Sequence, residues 1–405
     1  MKYERLYPVH VRAVVNTLLS IFKEGYLADK AIQYTLKSNP KAGAKDRAFI
    51  AESTYNMVRW WRMYWFLLGK EEKHTEEAIW ELFGVYWFEK GNQLPDWVEF
   101  KNIKSDKIVG RKAEVNNSIA IRESIPDWLF ELGCMELGEE KWGEEIAAMN
   151  GESTVYIRAN TIKTSMMELL QELKNKEIGA NVFKPVDNCI SITDRQNLFG
   201  LDIFKKGYFE MQDAGSQMIG EFLRVEPGMR VVDACAGAGG KTLQLAAKMQ
   251  NKGRIISMDV EDWKLQELKR RTRRAGVGIV ETKLIDGTKT IKRLANTADR
   301  LLLDVPCSGL GVLKRNPDAK WKLDISFINR IKKTQEEILQ SYPRMLKKGG
   351  LMVYATCSIL PSENHKQVEK FLSNNPEFEL LEEQQLYPSQ KVYDGFYMAL
   401  IRKND

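Results

Sequence analysis

Two cysteine–serine pairs carry the first sign of chemistry, one in "DVPCSGLG", Asp304–Gly311, and one in "YATCSI", Tyr354–Ile359. Each follows an apolar run and opens a loop, which places both thiols, Cys307 and Cys357, at strand ends. A thiol there has two uses. Ionised, it is a nucleophile that forms covalent intermediates; neutral, it is a small hydrophobe that fills the core, the usual fate of a free cysteine. Two at equivalent strand ends, each followed by serine and one led by Asp-Val-Pro, favour the chemical use.

The other cysteines, Cys134, Cys189 and Cys235, are scattered, no C-x-x-C pair occurs, and the three histidines lie far apart. That pattern argues against a disulfide framework and against a zinc site, so no metal is expected.

A third motif supplies a partner for a thiol. "DACAGAGGKT", Asp233–Thr242, links an apolar run to a helical pattern through glycines, which allow positive φ and close backbone approach to a polar ligand. A Walker A loop would need glycine where Cys235 stands, which argues against a P-loop. Asp259, at the end of the next strand, suits a ribose, and a dinucleotide or S-adenosylmethionine would satisfy it equally. Asp286 and Asp304 end the two strands after that. Alone, each is an ordinary turn residue. With Asp233 they make four carboxylates in register, which suits a donor-rich ligand such as adenosine with a charged amino-acid tail. Methyl transfer is therefore the preferred reading.

A thiol beside a methyl donor suits one reaction. Carbon 5 of a pyrimidine is a poor nucleophile, but a thiolate adding to carbon 6 makes the ring enamine-like at carbon 5. The carbon 5 proton must then leave and the thiol be eliminated, which needs a base. Asp304, three residues before Cys307, is placed to supply a proton or hydrogen bond near ring N3.

The elements that must hold these residues alternate. From Gly228 onward "MRVVDACAG", "GRIISMDV", "VETKLIDG", "DRLLLDVPCS" and "GGLMVYATCS" read as strands separated by helices. That order gives a mainly parallel sheet whose ligands bind at the strands' carboxyl ends. Upstream, "TVYIRANTIK", "GANVFKPV" and "CISIT" read as strands around the helix "SMMELLQELKNK", a small α/β module. The first part is helical: Val11, Val14, Val15, Leu18, Leu19 and Phe22 recur at helical spacing, and "KDRAFIAESTYNMVRWWRMYWFLLGK" continues the pattern. Its tryptophans fit a core better than a base-stacking surface. Residues 92–117 read as a linker. The expected fold is α/β, a Rossmann-like S-adenosylmethionine-dependent methyltransferase domain (218–405) with a small α/β module (151–217) and an all-helical domain (1–150).

Length and charge agree with several domains and an anionic partner. The chain has 405 residues and a net charge of +6; residues 1–70 carry 12 Lys/Arg against 5 Asp/Glu, and residues 71–150 carry 9 against 18. A basic front suits nucleic acid, or is simply a solvated helical surface. No apolar run spans a bilayer and the start lacks a secretory pattern, so a cytoplasmic protein without a membrane partner is expected.

"DACAGAGGKT", "DVPCSGLGVLKRNPDAKW", "YATCSILPSEN" and the closing "DGFYMA" resemble the RNA cytosine-C5 methyltransferase family of Fmu/Sun type. "YIRANTIK" and "KGYFEMQDAGSQ" resemble that family's small RNA-binding module, and the N-terminal helices its NusB-like domain. The resemblance implies Cys357 as nucleophile and Cys307 as the residue that assists product release. It implies that Cys235, Ala236, Gly237, Ala238, Gly239, Gly240 and Lys241 hold the methionine part of S-adenosylmethionine, and that Asp259, Asp286 and Asp304 contact its ribose, its adenine and the reacting region. One departure stands out: the family has Ala-Pro where this chain has Gly237-Ala238, which makes the loop more flexible.

RNA contacts are expected at Arg158, Asn160 and Lys163, and at Lys314, Arg315, Lys320 and Trp321 just past the Pro-Cys loop, where phosphates and an unstacked base would be held. The expected substrate is 16S ribosomal RNA, with transfer RNA as alternative, and the protein a monomer with no obligate protein partner. Two other readings compete: a DNA cytosine-C5 methyltransferase, in which Cys307 itself would attack, and a catalytically silent RNA-binding assembly factor.

Overall fold

The computed structural model describes residues 6–194, 196–390 and 393–404. Residues 1–5, part of the basic front and of the start read for a secretory pattern, lie outside these. The described residues separate into two compact units, one from 6–151 with 313–325, the other from 152–312 with 326–404.

The first unit is helical. Its opening helix, Pro8–Phe22, buries Val11, Val14, Val15, Leu18 and Ile21 along one stripe. Helices Ala44–Arg59, Trp61–Leu68 and Glu76–Glu89 pack on it, and the aromatic segment is core: Trp61, Tyr64 and Trp65 are buried, with Phe22 stacked on Trp61 at 3.6 Å between ring centroids. The expected linker contains a helix, Ser105–Glu114. It buries only Ile108, too little to give a sequence period, and Arg111 fastens it by donating to the carbonyls of Leu67 and Leu68.

The second unit holds two sheets. In the smaller, strands β1 (Val155–Ala159), β2 (Ala180–Val182), β3 (Cys189–Ile192) and β4 (Phe209–Met211) form an antiparallel sheet in the order β2-β3-β1-β4. In the larger, β5 (Arg230–Asp233), β6 (Arg254–Asp259), β7 (Val280–Leu284), β8 (Ala298–Asp304) and β9 (Leu346–Thr356) are parallel, and β10 (Phe378–Leu386) and β11 (Phe396–Lys403) add an antiparallel edge, in the order β10-β11-β9-β8-β5-β6-β7. The sequence reading covers β5 to β9 and misses β4, β10 and β11. β11 is buried on both faces and so lacks alternation, while β10 is an edge strand rich in Glu and Gln.

This order sets the site. β5 lies between β8 and β6, so the chain leaves the sheet centre in opposite directions, and the carboxyl ends of β5 and β8 flank the crevice where such sheets bind ligands. Asp233 ends β5 and Asp304 ends β8. β8 pairs in parallel with β9, Asp304 opposite Ala355, which sets the Pro-Cys and Thr-Cys loops side by side. The span 218–405 needs one amendment as a single domain: residues 313–325 pack with the helical unit.

Candidate active site

The glycine loop runs from β5 into helix Gly240–Lys248. Gly239 caps that helix at φ +86°, and a Cβ there would lie 2.6 Å from the Leu268 side chain, so only glycine fits. At Gly237 and Gly240 an added Cβ would meet nothing within 4 Å, which leaves the loop open on one side. Asp259 holds its rim: Oδ2 accepts from Gly237 N at 2.9 Å and Oδ1 from Glu261 N at 3.0 Å. An open glycine turn with a carboxylate at its edge fits a ligand carrying ribose hydroxyls. Asp286 lies two residues beyond β7, exposed at the same sheet edge, and the Thr290 hydroxyl bond holds it below the usual carboxylate range.

Asp233 supports the loop from beneath and has no solvent access to speak of. It is 1% exposed, Thr242 Oγ1 donates to its Oδ2 at 2.6 Å, and Oδ1 has no partner among the described residues. Burial pushes its carboxyl up to about 7. Lys241 points elsewhere: its ammonium lies 2.6 Å from Asp304 Oδ2. Burial works against the Lys241 charge, and the Asp304 carboxylate more than restores it, with Cys357 adding to the effect. The lysine thus joins the glycine loop to the reacting edge.

The two cysteines meet there as free thiols. Cys307 Sγ and Cys357 Sγ are 3.2 Å apart, and Cys357 N donates to Cys307 Sγ at 3.3 Å. The bond to Cys357, burial and the nearby Glu363 carboxylate all push the Cys307 thiol well above its ordinary range, so Cys307 holds its proton at neutral pH. The arrangement gives one protonated thiol beside a second, next to a lysine–carboxylate pair.

The expected RNA contacts divide. Arg158 is 3% exposed in β1 and its Nε donates to Gln212 Oε1; Asn160 is as buried and its Nδ2 donates to the carbonyls of Gly207 and Ala275. Lys163 donates to the carbonyls of Lys206 and Arg274. Asn160 and Lys163 thus tie the small module to the end of helix Asp262–Ala275, and the Arg158 bond stays within the small module. Lys320 is 2% exposed and donates to Arg59 O, and the Trp321 indole donates to Val58 O. Arg158, Asn160, Lys320 and Trp321 are thereby corrected from RNA contacts to structural ones: the side chains of Asn160, Lys320 and Trp321 donate inside the protein, and Arg158 is buried, its Nη2 without a partner among the described residues. Lys314 and Arg315 lie in the same segment, with Lys314 O accepting from Arg59.

Sequence reasoning passed over Glu363 and Gln335, which hold the cysteine loops from behind. The available signal was the serine after each cysteine together with the Glu in "LPSEN".

The model of a family described as 16S rRNA methyltransferase RsmB/F matches residues 221–402, and a model described as the RsmF/B-like ferredoxin-like domain matches residues 125–198. A probable ribosomal RNA small subunit methyltransferase B from Synechocystis is 28% identical over 95% of this chain and 97% of its own. A ribosomal RNA small subunit methyltransferase B from Proteus mirabilis is 34% identical over 69% of this chain and 65% of its own. The crystal structure of the protein PH0851 matches with a TM-score of 0.84 at 24% identity over 99% of this chain and 100% of that one, a likeness of fold.

Proposed function

The chain belongs to the RsmB/F family of ribosomal RNA methyltransferases, and from that premise we propose that it methylates carbon 5 of a cytosine in 16S ribosomal RNA through a covalent bond between Cys357 and carbon 6 of the base. The observation that carries the proposal is the sulfur pair at the ends of β8 and β9, set beside Lys241 and Asp304.

S-adenosylmethionine, when bound, supplies an electrophilic methyl group. The residues suited to hold it are those of the glycine loop, Cys235, Ala236, Gly237, Ala238, Gly239 and Gly240, with Asp259 for the ribose and Asp286 for the adenine. Lys241 belongs with Asp304 instead: the pair offers a proton or hydrogen bond toward ring N3 while the Cys357 sulfur bonds to carbon 6. Carbon 5 would then take the methyl group as the donor's sulfonium sulfur leaves as a neutral thioether, the carbon 5 proton would pass to solvent water, and the Cys357–carbon 6 bond would break to return the Cys357 sulfur and restore the ring. Cys307, touching Cys357, assists this release. The target base must leave its stack to reach the pair. RNA contacts are assigned to Lys314 and Arg315, with the cytoplasm as the place where a ribosomal RNA substrate is met.

Bisulfite sequencing of total RNA from cells with and without the gene tests this. The expected result is loss of one protected cytosine in 16S RNA. Loss of a transfer RNA position instead would favour the alternative substrate, and no change would favour a silent assembly factor.

A further inference from the structure

The two Cys-Ser pairs close into the same local turn. Ser308 Oγ accepts from Leu310 N at 3.3 Å and Ser358 Oγ accepts from Leu360 N at 3.1 Å. One carboxylate joins the turns. Glu363 Oε1 accepts from Ser308 Oγ at 2.5 Å and from Ser358 Oγ at 2.6 Å, and Oε2 accepts from Ser308 N at 2.8 Å and Gln335 Nε2 at 2.9 Å. Gln335 also donates to Pro306 O, the residue before Cys307, at 3.0 Å. The Glu363 side chain is 0% exposed, and its own backbone carbonyl is held by Tyr354 OH at 2.7 Å.

A buried carboxylate is weak evidence for stability, since well-packed apolar side chains commonly do as well. Four donors converging on one acid from two loops and a helix instead specify a geometry. We infer that Glu363 is a positioning residue for the cysteine pair: its carboxylate hydrogen-bonds both Cys-Ser turns and so fixes the two sulfurs against each other. The inference rests on the reading of Cys357 as nucleophile and Cys307 as its helper. Glu363 acts through the serines and touches neither base nor cofactor.

Its charge has a second effect. Among the described residues, the titratable groups that face Cys307 include Tyr354 on β9, Cys357 just after that strand, and Glu363 beyond it. Cys357 and Glu363 both disfavour a Cys307 thiolate, so the Cys307 thiol is pushed up.

A glutamine at this position separates geometry from charge. Its carbonyl can face Ser308 N and Gln335, and its amide can donate to the two serine hydroxyls, which rotate to accept. The probe is a bifunctional thiol reagent that fluoresces only when both arms react, applied to the full-length protein. Glu363→Gln should cross-link Cys307 to Cys357 no more slowly than wild type, and Glu363→Ala about ten-fold or more slowly. Turnover on RNA should fall about a hundred-fold in Glu363→Ala, as small misplacements of reacting groups do, with KM for S-adenosylmethionine unchanged. In a Cys357→Ala background, Glu363→Gln should move alkylation of Cys307 to lower pH. If Glu363→Ala fails to fold, Ser308→Ala and Ser358→Ala each remove one loop's bond and should slow cross-linking in the same direction. Cross-linking by a folded Glu363→Ala at the wild-type rate would overturn the inference. The cross-link does not depend on methylation, so a protein that cross-links as expected but leaves RNA unmodified would overturn the proposed activity alone.

Discussion

Cys307 and Cys357 are adequate nucleophiles in principle, and what distinguishes them is their surroundings. Cys307 sits among groups that keep its proton in place, whereas Cys357 borders on Lys241. Lys241→Met should cut turnover about a hundred-fold, the scale seen when one preorganised charged donor is lost, with a smaller change in RNA affinity; single-turnover methylation measures it. Asp233 gives a pH signature. Its folded pKa, about 7, is above the unfolded value, so its protonated carboxyl contributes stability that is full below the ordinary carboxylate range and is lost as pH rises through about 7. Asp233→Asn has no proton to lose. The difference in melting temperature between variant and wild type should therefore shift in favour of the variant between about pH 5 and pH 8, and a constant difference would contradict this.

The glycine loop has Gly237-Ala238 where the resemblance to the family leads one to expect Ala-Pro. Gly237 takes φ +53°, and no described backbone bond uses Ala238 N, so a ring at position 238 removes no hydrogen bond in the described set. Ala238→Pro should stiffen the loop and tighten S-adenosylmethionine binding two- to five-fold, about 0.4–1 kcal/mol, measured by calorimetric titration. Unchanged or weaker binding would show that the loop must move to admit the ligand. The small sheet gives the opposite lesson. In "YIRANTIK" the types Arg, Asn and Lys suggested RNA, but a sequence does not show which way a polar side chain turns. Asn160 turns inward to the carbonyls of Gly207 and Ala275, at the end of helix Asp262–Ala275. Asn160→Ala should cost about 1–3 kcal/mol of stability by urea unfolding, because it leaves buried carbonyls unpaired. What was legible in the sequence was what has a short-range pattern: strands β5 to β9, the glycine loop and the strand-end cysteines and acids. β11 is buried on both faces, β10 is a polar edge strand, and Glu363 is a single acid whose bonds to Ser308 and Gln335 lie far off in sequence, so none of them leaves a local period.

Across the whole molecule, the chain does not keep its domains consecutive. Residues 313–325 leave the second unit's sequence and pack into the helical core, where Trp321 donates to Val58 O at 2.7 Å, Ala28 N donates to Asp318 Oδ2 at 3.0 Å and Lys320 meets Arg59 O at 2.8 Å. Trp321→Ala should destabilise the helical unit by about 3 kcal/mol, the scale of losing a large packed side chain, and give an early calorimetric transition. Weaker RNA binding with unchanged melting would restore the stacking role first expected for Trp321. The same segment directly follows the Pro-Cys loop, so the covalent connection between helical unit and catalytic loop is only a few residues long. All of this serves the sulfur pair. The most direct test of its assignment is to incubate the protein and S-adenosylmethionine with 16S RNA containing 5-fluorocytosine, which blocks release, and to map the adduct by peptide mass spectrometry. The adduct is expected on Cys357, retained in Cys307→Ala and absent in Cys357→Ala; an adduct on Cys307 that survives Cys357→Ala would contradict the account.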